Sequence, residues 1–281
     1  EAMLREIERR QAHLAERGWT LARIPVTPAG AIRADDVVAA IGPDVSLVTV
    51  MLAQNETGAL QPVAELAATA REQGAVLHTD AAQAIGKVDV NIDELGVDLL
   101  SIAGHKCYAP KGVGALYVRP GTTLHPVLLG AGQEGGIRPG TENVAGIVGL
   151  GAAADLAARD RSTEAARVGQ LRDRLWQGLR SAIPALARHT PEDSLPNTLM
   201  ISFPNVLGRD VLAAAPSVAA STGSACHAGH DTPAATLVAM GVSPEVALGA
   251  VRLSLGRRTT AGQIDQAVAA LATAFRQVAG S

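Results

Sequence analysis

A chain of 281 residues, 47% hydrophobic and 18% charged, is long enough for one large core or two smaller ones. A formal net charge of −3 and only 2% aromatic residues argue against an electrostatic grip on nucleic acid or anionic lipid, and against a base-stacking platform. No apolar run reaches the ~20 residues of a membrane helix, and two distant cysteines, Cys107 and Cys226, make no disulfide framework, which favours a reducing, cytoplasmic setting.

The opening residues, Glu1 to Arg10, read as a charged helix rather than a signal peptide. Leu4, Ile7 and Leu14 share a face of this helix, and Gly18 ends it. LARIPV (21–26) reads as a short strand and Asp35 to Ile41 as a short helix with an acidic first turn. VSLVTVMLAQ (45–54) is a continuous apolar run, as in a parallel strand covered on both faces. A helix from Pro62 to about Gln73, closed by Gly74, separates it from the strand AVLHTD (75–80). VDLLSIAG (97–104) and GALYV (114–118) are the next strands. A long helix covers about 144–183, NTLMISFP (197–204) and VRLSL (251–255) are strands, and a helix over about 261–278 closes the chain. Strands alternating with helices predict an α/β fold with a mostly parallel sheet and helices on both faces. The boundary is expected near residue 160, between a large domain (1–160) and a smaller α+β domain (161–281).

Polar residues collect at strand ends: Asn55, Asp80, His105 and Lys106. Open α/β sheets bind ligands outside those ends. A lysine at a strand end is by default a surface residue, but its neighbours here suggest chemistry. A lysine amine in a desolvated site can form a Schiff base with a carbonyl cofactor. Pyridoxal phosphate would further need a carboxylate at its ring nitrogen, a donor to its ring oxygen and donors to its phosphate. Asp80 ends one strand, and Gln83 follows one short turn on. Cys226 lies in the polar, glycine-containing loop STGSACHAGH (221–230). A lone cysteine among small residues is usually core; in this loop it can instead be a mobile nucleophile. Cys226 with His227 and His230 does not complete a tetrahedral metal site, so no metal is expected.

HTDAAQAIGK (78–87), SIAGHK (101–106), GGIRPGTEN (135–143), STGSACHAGH (221–230) and VRLSLGRRTT (251–260), in this order, resemble the class V aminotransferase-like enzymes. Within that family they look like the cysteine desulfurase and selenocysteine lyase branch. The resemblance runs over about residues 1–278. It implies the type I pyridoxal-phosphate fold, with a seven-stranded type of sheet, and a homodimer. It casts Lys106 as the Schiff-base lysine, Asp80 as partner of the pyridinium nitrogen and Gln83 as donor to the phenolic oxygen. His105 would touch the phosphate, and Thr141 would reach the phosphate bound by the partner protomer. Asn55 would contact cofactor and substrate, and Arg252 would hold the substrate carboxylate. Cys226 would take the sulfur of L-cysteine as a persulfide, for delivery to an acceptor protein, and Cys107 would be packing.

The pattern Cys226-His-x-x-His230 resembles selenocysteine lyases more than ordinary desulfurases, so L-selenocysteine is an alternative substrate. The family pattern also carries an N-terminal stretch with a phosphate-cradling helix and a ring-stacking histidine. The sequence begins at Glu1, about where that histidine's helix starts, and neither feature is expected in it. Ala103 replaces the family's serine before Gly-His-Lys, with Ser101 placed to substitute in part. A non-catalytic remnant that only dimerises is therefore a further alternative.

Overall fold

The computed structural model describes residues 13–222 and 232–280. They form two compact units. One comprises Ile41–Ala53 and Gln61–Ser162; the other comprises the residues up to Ala40, Gln54–Leu60 and those from Thr163 on.

The first unit is built on a four-stranded sheet in the order β1 (Leu47–Met51), β2 (Val76–Asp80), β3 (Leu99–Ala103), β4 (Gly114–Val118). β1, β2 and β3 are parallel, with Met51 opposite Asp80 and Asp80 opposite Ser101. The helix joining β1 to β2 (Val63–Glu72) buries Val63, Leu66 and Ala70 along one stripe and packs on β2. Leu66, Leu77 and Leu100 are fully buried, and each such side chain stabilises the unit by about 1.5–3 kcal/mol. β4 returns antiparallel to β3, because the connection between them is too short for a parallel crossover.

The second unit carries an antiparallel sheet in the order β5 (Ala187–Arg188), β6 (Thr198–Ser202), β7 (Ala250–Ser254). All five residues of β6 are buried. Leu199 and Ile201, with Val251 and Leu253 of β7, form one core with Ile264, Leu271 and Ala274. Met200 and Ala250 pack in another with Leu237, Met240 and Ala247. The terminal helix, Ala261–Ala279, starts with a capping box: Gln263 N donates to Thr260 Oγ1 and Thr260 N donates to the Gln263 side chain.

A long helix, Val144–Ala182, passes through the boundary between the units. LARIPV (21–26) does not form the expected strand. Among the described residues its one ladder bridge is from Val26 to Ile32, and Leu21 is exposed. Pro25 lacks the N–H a ladder needs.

Candidate active site

β2 and β3 end side by side, and the ladder continues past them: Ala81 N donates to Ser101 O at 3.0 Å. Asp80 closes β2, and its Oδ1 accepts from Ala82 N at 2.8 Å. This turns the chain at the strand end and leaves Oδ2 to meet a ligand. β3 runs into a single 3₁₀ turn, Gly104–Lys106. A Cβ on Gly104 would lie 2.7 Å from the Val113 carbonyl oxygen, so only glycine fits there. The Gly104 carbonyl accepts from Cys107 N, Ala109 N and Cys107 Sγ. Cys107 is buried with Ala109, Ala153, Ile85 and Val113, which anchors the turn from below. His105 and Lys106 are left exposed above it.

Two polar residues in this region escape sequence reasoning. Lys87 Nζ donates to the Gln83 carbonyl at 2.7 Å and to Gln83 Oε1 at 3.3 Å. Gly86, at φ +73°, reverses the chain so that Lys87 folds back over Gln83. Burial first, and then the like charge of Lys106, push Lys87 down to about 8, while Cys107 acts in the opposite sense. The spacing of Lys87 four residues after Gln83 was the available signal. The other is His78, whose Nδ1 lies 2.7 Å from Thr49 Oγ1 and whose Nε2 lies 2.8 Å from Ser101 Oγ. Burial lowers its pKa, against the pull of Asp80. The Ser101 hydroxyl is thus engaged by His78.

The second unit brings Asn55 and Arg252 together. Arg252 Nη1 donates to the Asn55 carbonyl at 2.9 Å, and Arg252 Nε is buried with no acceptor among the described residues. An unmet buried donor of this kind suits a ligand carboxylate. Gln54 organises the turn that carries Asn55: its Oε1 accepts from Glu56 N and Thr57 N, and its Nε2 donates to Thr236 Oγ1. Ser221 pairs with Arg252 through two backbone hydrogen bonds, so the strand holding Arg252 also holds the start of the segment that leads to Cys226. Cys226, with His227 and His230, lies outside the described residues. Thr141 is exposed in the loop before the long helix.

The donor set of the first unit fits pyridoxal phosphate: a carboxylate with one oxygen to offer, an amide whose oxygen is turned to Lys87, and an amine on the adjoining turn. Comparisons with known proteins agree with that chemistry. The aminotransferase class-V family model matches residues 10–267. The chain is 42% identical over 259 residues to a cysteine desulfurase, NifS, of Azotobacter vinelandii, covering 91% of this chain and 64% of that protein. It is 46% identical over 235 residues to a cysteine desulfurase, IscS, of Anaeromyxobacter dehalogenans, covering 83% and 58%. It therefore spans less than two thirds of the length of these curated relatives. Among solved structures, a NifS-like protein superposes with a TM-score of 0.85 at 33% identity, covering 96% of this chain and 71% of that one. The architecture is that of the type I pyridoxal-phosphate enzymes, with four strands of the large sheet among the described residues. On the strength of a match across nearly its whole length, the chain belongs to the aminotransferase class-V family.

Proposed function

We propose that this protein is a pyridoxal-phosphate-dependent cysteine desulfurase, converting L-cysteine to L-alanine with the sulfur left as a persulfide on Cys226. The observation that carries the reading is the grouping of Asp80, Gln83 and Lys106 at the ends of two neighbouring parallel strands. The family and its cysteine desulfurases depend on pyridoxal phosphate, which when bound supplies an electron sink for bond cleavage in an amino acid.

Each side chain then has a task. Lys106 would hold the cofactor through its aldehyde carbon, and its amine would move the proton at the substrate Cα. The Asp80 carboxylate would hold a proton on the ring nitrogen. Gln83 would donate from its NH₂ to the ring oxygen, and His105 would contact the phosphate, joined by Thr141 of a second protomer in a homodimer. The Arg252 fork binds the substrate carboxylate, with the Asn55 carbonyl fixing its orientation. The Cys226 thiolate attacks the substrate sulfur: an S–S bond forms and the C–S bond breaks. The electron pair stays with the substrate carbon, which takes up a proton and leaves as alanine. In a reducing cytoplasm the persulfide would pass to an acceptor protein. A second reading, selenocysteine lyase, is favoured by His227 and His230 following Cys226.

The test is absorbance during titration with pyridoxal phosphate, in wild type and Lys106→Ala. A visible band that needs Lys106 is expected, with alanine released from cysteine by wild type and not by Cys226→Ser. A folded protein with no Lys106-dependent band overturns the reading and leaves a non-catalytic dimerising role. A band with turnover of selenocysteine alone selects the lyase.

A further inference from the structure

The amide of Gln83 has two ends, and only one can serve the proposed ring oxygen. That oxygen is an acceptor, so the amide must offer its NH₂. A free glutamine side chain rotates between both orientations. Here Lys87 Nζ stands 3.3 Å from Oε1 and 2.7 Å from the backbone oxygen of the same residue. An ammonium group only donates, so the end of the amide facing Lys87 has to be the oxygen. The NH₂ is thereby turned away from Lys87. The chain builds this clamp deliberately: Gly86, in the left-handed region and with Ala157 2.9 Å from where its Cβ would be, leaves room for no other residue at the reversal.

We propose that Lys87 is a positioning residue for the cofactor: it locks the Gln83 amide with its NH₂ toward the ring oxygen and sets a second positive charge near Lys106. The inference rests on the pyridoxal-phosphate reading above. Lys106 and Cys107, both on the turn after β3, are the titratable groups that act on Lys87, and the repulsion between the two lysines is part of what depresses its pKa. The consequence is directional. A cation near the Lys106–cofactor linkage disfavours a proton on that linkage. A hydrogen bond donated to the ring oxygen draws off the negative charge that would otherwise hold the same proton. Losing either influence lets the proton persist to higher pH.

The experiment is a pH titration of the visible band of the pyridoxal-phosphate-loaded chain in wild type, Lys87→Met, Lys87→Gln and Lys87→Arg, with a melting curve for each. The two neutral variants are expected to move the midpoint up by roughly one pH unit, and the arginine variant, which keeps charge and donors, to stay with wild type. Neutral variants that titrate with wild type overturn the proposal, as does an arginine variant that moves as far as methionine. Should both neutral variants fail to fold while arginine folds, Lys87 is a structural cation and the proposal falls. Absence of any Lys106-dependent band in wild type is a different failure, that of the cofactor reading itself.

Discussion

Lys87 is held where burial and a neighbouring lysine both disfavour its charge, and that has a stability signature in the protein without cofactor. Its pKa drops from an ordinary 10.5 to about 8 on folding. Between those values the unfolded chain binds more protons than the folded one, so this group makes stability rise with pH across that window. Below about pH 8 both states are protonated and the full cost of burying the ammonium is present. The stability of wild type relative to Lys87→Met is therefore expected to rise between about pH 8 and 10.5, by up to roughly 3 kcal/mol. Urea unfolding of both proteins at the two ends of the window measures it; a difference that stays constant sinks the argument. At Arg252 the exposed variable is substrate affinity. Arg252→Gln keeps a donor near the Asn55 carbonyl and loses the charged fork, so kcat/KM for cysteine is expected to fall roughly 10- to 100-fold with the cofactor band retained. A variant that loses the band as well would place Arg252 on the cofactor rather than the substrate.

At the scale of elements, the turn that presents Lys106 depends on one missing methyl group. Alanine at Gly104 would put Cβ 2.7 Å from a backbone oxygen that the sheet holds in place. Gly104→Ala is expected to cost about 1–3 kcal/mol and to weaken cofactor binding by shifting the turn. Unfolding midpoints and a pyridoxal-phosphate titration check both effects, and wild-type values in both would show that the turn yields freely. The strands around this turn were legible because short, mainly apolar stretches there end in polar residues, as β2 does at Asp80 and β3 just before His105. LARIPV was misread for the opposite reason. Its composition suits a strand, but pairing is a property of neighbours, and among the described residues its one ladder bridge is from Val26 to Ile32. Lys87 and Gln54 were illegible as site residues because they act on other side chains of the site. Their contacts arise across turns, at Gly86 and Gly58, so that only spacing, as in Gln83 and Lys87 four apart, hints at them. Cys226 rests on its motif and lies outside the described residues, while strand alternation made legible the placement of Arg252 between buried Val251 and Leu253.

For the whole molecule, the first unit exposes several large apolar side chains. Val127 is 94% exposed and Leu129 90%, and Val144 and Val148 at the start of the long helix are each 66% exposed. Thr141 lies in the loop between Leu129 and Val144. A homodimer formed through this surface is the arrangement in which Thr141 would serve the other protomer's phosphate. Leu129→Asp with Val148→Asp is then expected to shift sedimentation toward monomer and to make the melting temperature less dependent on protein concentration. Unaltered sedimentation would locate the contact elsewhere. The cross-protomer role has a sharper test. Thr141→Ala keeps its own Lys106 but weakens the partner's phosphate grip; Lys106→Ala cannot anchor the cofactor but still offers Thr141. In a mixed dimer one site receives both intact residues and the other receives neither. Co-expressing the two variants should return wild-type cofactor affinity in about a quarter of all sites, the fraction random pairing gives in a symmetric dimer. If Thr141 acts within its own protomer, no pairing restores an intact site, and the mixture will titrate as the sum of its two defective parents.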